Sequence, residues 1–275
     1  MKMKPAFAKQ APRKGFTLVE LMVVIAVILV IVTLLLPVLN GARLKAQQVD
    51  CVSRQKQWAM AFRMYVDDHD GLIPRESYEL FGDVRDLNNW IQVRGLRLTD
   101  TTTDSDDVWY NALPDYVGVP RAATYAPPQR HAEFYESASL FQCPSARFPP
   151  ETLKANYRFA LFSIAMNSQL IEFPGPTIRF DRVRDESRTV LFLDNMLRDE
   201  EKVHVNQENG SLGQPAAYAT RFGGRHNGGG NLAFADGHVR WFSGNRVVET
   251  DPHNPLRGGA IMPPVDIVWE ASDDF

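Results

Sequence analysis

The chain is poor in cysteine, with only Cys51 and Cys143 in 275 residues, so at most one internal disulfide is available to it. Acidic residues are missing from the first fifteen positions, which carry Lys2, Lys4, Lys9, Arg13 and Lys14. Without those five cations the remainder holds 25 basic and 33 acidic residues, a net charge of −8. A mildly acidic body lacks the clustered Lys and Arg that nucleic-acid binding requires. No internal repeat is visible. A glycine-rich stretch, Gly223 to Gly230, has no Lys-Ser/Thr of a P-loop, and no catalytic nucleophile motif is present. What the chain does have is one long apolar run. From Phe16 to Leu39 it is interrupted only by Thr17, Glu20, Thr33 and Pro37.

Those 24 residues would form a helix of roughly 36 Å at about 1.5 Å per residue, enough to cross the hydrocarbon core of a bilayer. The basic arm before it predicts a cytoplasmic N-terminus and an extracytoplasmic remainder. A secretory signal peptide fits less well. Its apolar region runs about 7 to 15 residues before a small-x-small site, whereas the best site downstream here, Asn40-Gly41-Ala42, has Asn at the outer position. No cysteine near the end of the run offers a lipoprotein site. A plain uncleaved anchor has no need of Glu20, because a carboxylate in the apolar segment costs about 2.5 to 3.5 kcal/mol to insert.

Arg13-Lys14-Gly15-Phe16-Thr17-Leu18-Val19-Glu20-Leu21 resembles the cleavage and methylation site of type IV prepilins and type II secretion pseudopilins. The resemblance implies that a prepilin peptidase cuts after Gly15 and methylates Phe16. It also implies that Glu20 pairs with the N-terminal amine of an adjacent subunit, giving each buried charge a partner. The implied partners are prepilin peptidase, other pilin or pseudopilin subunits and the inner membrane, with no nucleic acid. The implied location is single-pass in the inner membrane.

Beyond the apolar run, Leu44, Gln48, Cys51, Val52, Gln55, Trp58, Ala59, Phe62, Tyr65 and Val66 recur at three- and four-residue spacing, while Arg43, Lys45, Arg54, Lys56 and Arg63 fall mostly elsewhere. This predicts that the helix continues with one face against a globular domain and stops near Asp67 to Gly71, with Gly71 as C-cap and Pro74 beyond. Residues 72–156 read as loops with short pieces, a variable surface or a region of hidden structure. From Tyr157 the texture turns β-rich. Strands are predicted within Tyr157 to Met166, Thr189 to Leu193, Leu232 to Ala235, Val239 to Phe242, Arg246 to Val248 and Val265 to Trp269. Asp236-Gly237 predicts a two-residue type I′ hairpin. The expected fold class is α+β and pilin-like: a long N-terminal helix packed on a C-terminal antiparallel sheet. The expected divisions are a leader over 1–15, a transmembrane helix over 16–39, an amphipathic helix over 40–71 and a globular domain over 72–275.

His226, nine intervening residues, then Asp236-Gly237 is similar to the H-x9-DG ending of a large group of prepilin-like proteins. The Cys51 region, Phe141 to Ser145, Ala165 to Asn167 and Val190 to Asp194 look similar to that group as well. The likeness implies fold and export route, with a structural role for His226, Asp236 and Gly237. His226, Asp236 and His238 show no ligand spacing that assigns a metal or a general base, so no metal site and no cofactor are expected. Calcium is the one cation that the resemblance to secretion pseudopilins implies, with Asp67, Asp68 and Asp70 or Asp104, Asp106 and Asp107 as oxygen sources, though neither set matches an EF-hand. Cys51 and Cys143 are either two buried small side chains or a bridge between helix and domain. The functional expectation is a non-enzymatic pilin-like subunit. The alternative is a membrane-tethered module that binds calcium or glycan; Trp58, Trp90, Trp109, Trp241 and Trp269 could stack on sugars, but core or interface packing accounts for them adequately.

Overall fold

The computed structural model describes residues 15–75, 89–94, 108–136, 139–154, 157–170, 179–204, 207, 212–248 and 267–269. The basic leader before Gly15, the polar run 99–107 with Asp104, Asp106 and Asp107, and residues 265–266 lie outside the described residues. The chain divides into two compact units, Met1–Lys45 and Ala46–Phe275. One helix, α1 (Leu18–Asp68, 51 residues), runs through the division.

Helix α1 begins at a capping box. The Thr17 backbone N–H and hydroxyl both donate to Glu20 Oε2 at 2.8 Å, and the Glu20 N–H donates to Thr17 Oγ1 at 3.2 Å. Thr at the N-cap and Glu three residues on thereby satisfy each other's orphan donors. Pro37 lies inside the helix, which continues across it; lacking an N–H, it leaves the Thr33 carbonyl without its usual partner. Every residue from Gly15 to Ala46 is exposed, including the whole apolar run, and α1 is long and apolar enough to cross a membrane.

In the second unit α1 buries Cys51, Arg54, Gln55, Trp58, Ala59, Ala61, Phe62, Tyr65 and Val66, close to the predicted stripe. Leu44 differs, being exposed, and so does Arg54, which is buried. Arg54 Nη1 donates to the carbonyls of Ser139 and Gln142 at 2.7 Å each, and Nη2 pairs with Asp50 at 3.0 Å. Its charge enters the interior because loop carbonyls and one carboxylate meet it there. After Asp68 the chain leaves the helix through Asp70 (φ +53°) and Gly71 (φ +81°), and the Gly71 N–H returns to the Val66 carbonyl at 2.9 Å. The first left-handed position is thus Asp70, one residue before the predicted cap.

The sheet comprises β1 (Ile164–Asn167), β2 (Val190–Asp194), β3 (Ala216–Ala217), β4 (Gly229–Phe234) and β5 (Val239–Ser243), ordered β3-β1-β2-β4-β5. It is mixed where an antiparallel sheet was expected, because β3 runs parallel to β1 while every other neighbour is antiparallel. Strands β1, β2 and β4 are buried throughout, since both faces of the sheet are covered. One apolar cluster joins Ile164, Met166, Phe192 and Ala233 to Trp58 and Phe62 of α1; the other gathers Ala165, Val190, Leu193, Leu232, Phe234, Phe222 and Val247. The alternation of Leu232, Ala233 and Phe234 between clusters is the period-2 pattern of a strand.

Three further expectations are corrected. Arg246 to Val248 is not a strand: Gly244–Val247 forms a single helical turn. The last predicted strand reduces to one parallel bridge, Thr189 with Val268. The Asp236-Gly237 turn is not type I′. Among the described residues only Gly237 of the pair has positive φ (+88°), the Gly237 N–H bonds to the Phe234 carbonyl at 2.8 Å, and Phe234 N–H to that of His238 at 2.9 Å. This is a three-residue loop with a left-handed glycine, and Asp236 Oδ1 holds it by accepting the His238 N–H at 3.0 Å. The described part of 72–156 contains hidden structure of short helical turns. It also supplies core, because Trp109, Tyr110, Phe134 and Phe141 are fully or almost fully buried. Trp58, Trp109 and Phe141 pack mutually at centroid distances of 5.1 to 5.9 Å.

Candidate functional site

Two places in the chain combine unusual residues with defined geometry. The first is the N-terminal junction. Gly15, Phe16 and Thr17 precede the helix in irregular backbone, and Phe16 is 76% exposed. Glu20 sits one turn on, exposed, with its carboxylate held by Thr17. An accessible, non-helical segment followed at once by a capped apolar helix is the form a protease can grip, since backbone inside the helix is already hydrogen-bonded.

The second is a buried polar cluster. Asp194 ends β2 with 0% exposure; Cys51 comes from α1, Cys143 from the loop after the buried aromatics, and His226 from the glycine-rich loop before β4. Their ligand-type atoms all lie within 4.8 Å of one another. Cys51 Sγ donates to Asp194 Oδ1 at 3.0 Å, Cys143 Sγ and His226 Nε2 are 3.3 Å apart, and His226 Nε2 is 3.5 Å from Asp194 Oδ2. The glycines serve close approach. A Cβ on Gly230 would stand 2.4 Å from the Gly223 carbonyl and 3.1 Å from Asp194 Cβ. Local chain packing, and not phosphate binding, accounts for that position.

The carboxylate of Asp194 is unusually well served. Asn231 donates both its backbone N–H (2.7 Å) and Nδ2 (2.9 Å) to Oδ2, and Gln55 Nε2 donates to Oδ1 at 3.0 Å. Buried Arg225 stands 3.9 Å from it and pairs with Glu200 at 2.7 Å, while its Nη1 donates to the Ser163 carbonyl at 2.9 Å. These charges set the titration of the cluster. Burial and then the thiol and carboxylate beside it push the Cys51 thiol well up. Burial would push Cys143 up too, but hydrogen bonds from Cys51 and His226 and the charge of Arg225 outweigh it and hold that thiol well below its usual range. Burial disfavours the charged His226, yet Cys143 and Asp194 raise it. Burial and the Cys143 charge raise Asp194 against the pull of Arg225. The arrangement can therefore hold a proton or a cation. With exposures of 0 to 4% in all four residues, it withholds the thiols from solvent and so from the approach an attacking nucleophile needs.

The structure does not bring His226 together with Asp236 and His238. They lie at opposite ends of β4, whose six residues span about 20 Å. Asp236 and His238 form an exposed pair at 2.6 Å. Cys51 and Cys143, considered above for a bridge, are adjacent but unbridged. Asp67, Asp68 and Asp70 remain exposed. Residue-by-residue reading missed Asp194, Arg225 and Glu200, and it missed the meeting of both cysteines with His226. The available signal was an acid closing an otherwise wholly apolar strand, Val190-Leu-Phe-Leu-Asp194.

Compared with known proteins, residues 11–36 match the family model of the prokaryotic N-terminal methylation motif. No curated protein and no solved structure matches the chain. The N-terminus is thus of prepilin type, and with one apolar helix long enough to cross a bilayer it suits a membrane-anchored, single-pass protein.

Proposed function

We propose that the chain is a pilin-like structural subunit of a pilus or type II secretion pseudopilus. Prepilin peptidase cuts it between Gly15 and Phe16, methylates Phe16, and leaves α1 to anchor the subunit in the inner membrane and to pack it against its neighbours. The observation that carries this reading is the methylation motif at 11–36 at the head of a helix whose first half is apolar and wholly exposed and whose second half is docked in an α+β domain. An apolar helix surface of that length needs a bilayer in one state and other helices in another. Glu20 fits the second state. In a single chain Thr17 holds its carboxylate, and in an assembly the free amine at a neighbour's Phe16 adds the opposite charge.

The test is the mature N-terminus. Protein extracted from membranes of its native host should begin with N-methylated Phe16 by peptide mass spectrometry, and Gly15→Leu should accumulate as uncut precursor. A mature protein that retains Met1, or one cut near Ala42, refutes the proposal.

A further inference from the structure

We propose that Cys51, Cys143, Asp194 and His226 form a closed four-ligand site for a divalent zinc-class ion. Four segments far apart in sequence converge here: α1, the loop at Cys143, the end of β2 and the loop before β4. In a tetrahedral site with metal–sulfur bonds of about 2.3 Å and metal–nitrogen or –oxygen bonds of about 2.0 Å, ligand atoms stand roughly 3.3 to 3.8 Å apart. Three of the six pairs stand at 3.0, 3.3 and 3.5 Å, reached through both oxygens of Asp194, and one ligand atom from each residue lies within 4.8 Å of the others, so shifts of up to about 1 Å reach that geometry. Two sulfurs, an imidazole and a carboxylate suit a borderline-soft ion and not calcium or magnesium, which want six or more oxygens or an oxygen octahedron. Full burial of all four makes this a structural site, with no open position for a substrate.

The surroundings fit an ion as well. Asn231 and Gln55 orient the Asp194 carboxylate, as partners behind a metal ligand do. The side-chain oxygens of those same residues, Gln55 Oε1 and Asn231 Oδ1, are buried without a donor, so the polar shell is incomplete with the protein's own atoms. The charge around the site is partly offset, with Arg225 shared between Asp194 and Glu200. Two thiolates and one carboxylate around a divalent ion leave one negative charge, opposite the buried Arg225 guanidinium. Binding of the ion displaces protons from its thiol and imidazole ligands. Binding free energy at such a site becomes folding free energy, and it fastens the docked part of α1 to the sheet. The site lies wholly within Ala46–Phe275, so the inference does not rest on filament assembly.

The test uses the full chain, extracted in detergent with thiols kept reduced, and zinc and cobalt(II) as probes. Elemental analysis should find one zinc per chain, and cobalt should give thiolate charge-transfer bands with the intense visible bands of tetrahedral coordination. Cys143→Ser and His226→Gln should abolish those bands. Gln55→Met, which removes a donor to the Asp194 carboxylate and to the Asn231 carbonyl but no ligand of the ion, should weaken cobalt binding by about 10- to 100-fold. Substoichiometric metal, weak octahedral cobalt bands, or binding indifferent to His226→Gln would overturn the proposal. So would a Cys51–Cys143 disulfide in protein whose thiols were blocked during extraction. If Cys143→Ser does not fold, the wild-type cobalt spectrum decides by itself, because thiolate bands require both the site and its sulfurs.

Discussion

The docking of α1 onto the sheet rests on a few side chains, and Phe62 measures it best. Its side chain is fully buried, and its ring meets Phe180 at 5.9 Å and Phe192 of β2 at 6.5 Å. Phe→Ala in such a place removes the transfer free energy of the ring and leaves a cavity, together about 3 to 5 kcal/mol. Two edge-to-face contacts put Phe62 in the upper part of that range. For a unit the size of Ala46–Phe275, each kcal/mol moves the midpoint by roughly 2 to 4 °C, so Phe62→Ala should lower Tm by roughly 8 to 20 °C. Met60 on the same helix is 63% exposed, so Met60→Ala should stay within about 0.5 kcal/mol. Phe62→Asp adds a buried unpaired charge and should exceed Phe62→Ala.

The assay is urea and thermal unfolding of residues 46–275 expressed without the apolar half of α1, followed by near-ultraviolet circular dichroism. The aromatic packing of Trp58, Trp109 and Phe141 reports the core directly. Equal midpoints for Phe62→Ala and Met60→Ala would refute the reasoning, since the two faces of α1 would then be energetically alike.

Two further predictions address the turn and the charge. Gly237 has φ +88° and open space around it, so substitution there strains backbone and nothing else; Gly237→Ala should cost about 1 to 2 kcal/mol in urea unfolding, and Gly237→Val more. Glu20→Gln keeps an acceptor for Thr17 but loses the charge, while Glu20→Ala loses both. Both should reduce recovery in filaments and leave the unfolding of residues 46–275 untouched, and normal assembly of Glu20→Gln would show that capping, not charge pairing, is what the position provides.

The long helix was legible because each half carries a helical signal of its own: a continuous apolar run long enough to span a bilayer, then a stripe at three- and four-residue spacing. Arg54 escaped that reading because its burial depends on the carbonyls of Ser139 and Gln142, more than eighty residues on. β3 escaped because two alanines carry no pattern. Arg246 to Val248 was misread from its β-branched ending, where the chain instead makes one helical turn that starts at Gly244. Asp236-Gly237 was recognised as a turn, but its type was decided by the aspartate side chain bonding to His238, which a dipeptide rule does not contain. The buried cluster was legible only in pieces. Cys51, Cys143, Asp194 and His226 each lie in a segment that stood out by itself, and only the sheet register and α1 docking bring them within 4.8 Å.

The capping box changes the weight of one sequence argument. A carboxylate in the apolar segment was costly for a plain anchor because it was counted as having no partner there. The structure gives it two donors on Thr17, and it lies in the first turn, where the helix dipole favours negative charge. Part of the insertion cost is thereby offset within a single chain, and Glu20 alone separates anchor from subunit less sharply than composition implied. What still separates them is the junction before it. A capping box needs only Thr17 and Glu20. Neither Gly15 nor Phe16 takes any part in it, yet both fall inside the matched methylation motif, at a point where a Cβ on Gly15 would meet nothing in the folded chain. A glycine that the described fold does not require, placed between a basic leader and an exposed aromatic, fits the proposed recognition during processing better than a role in the stability of α1.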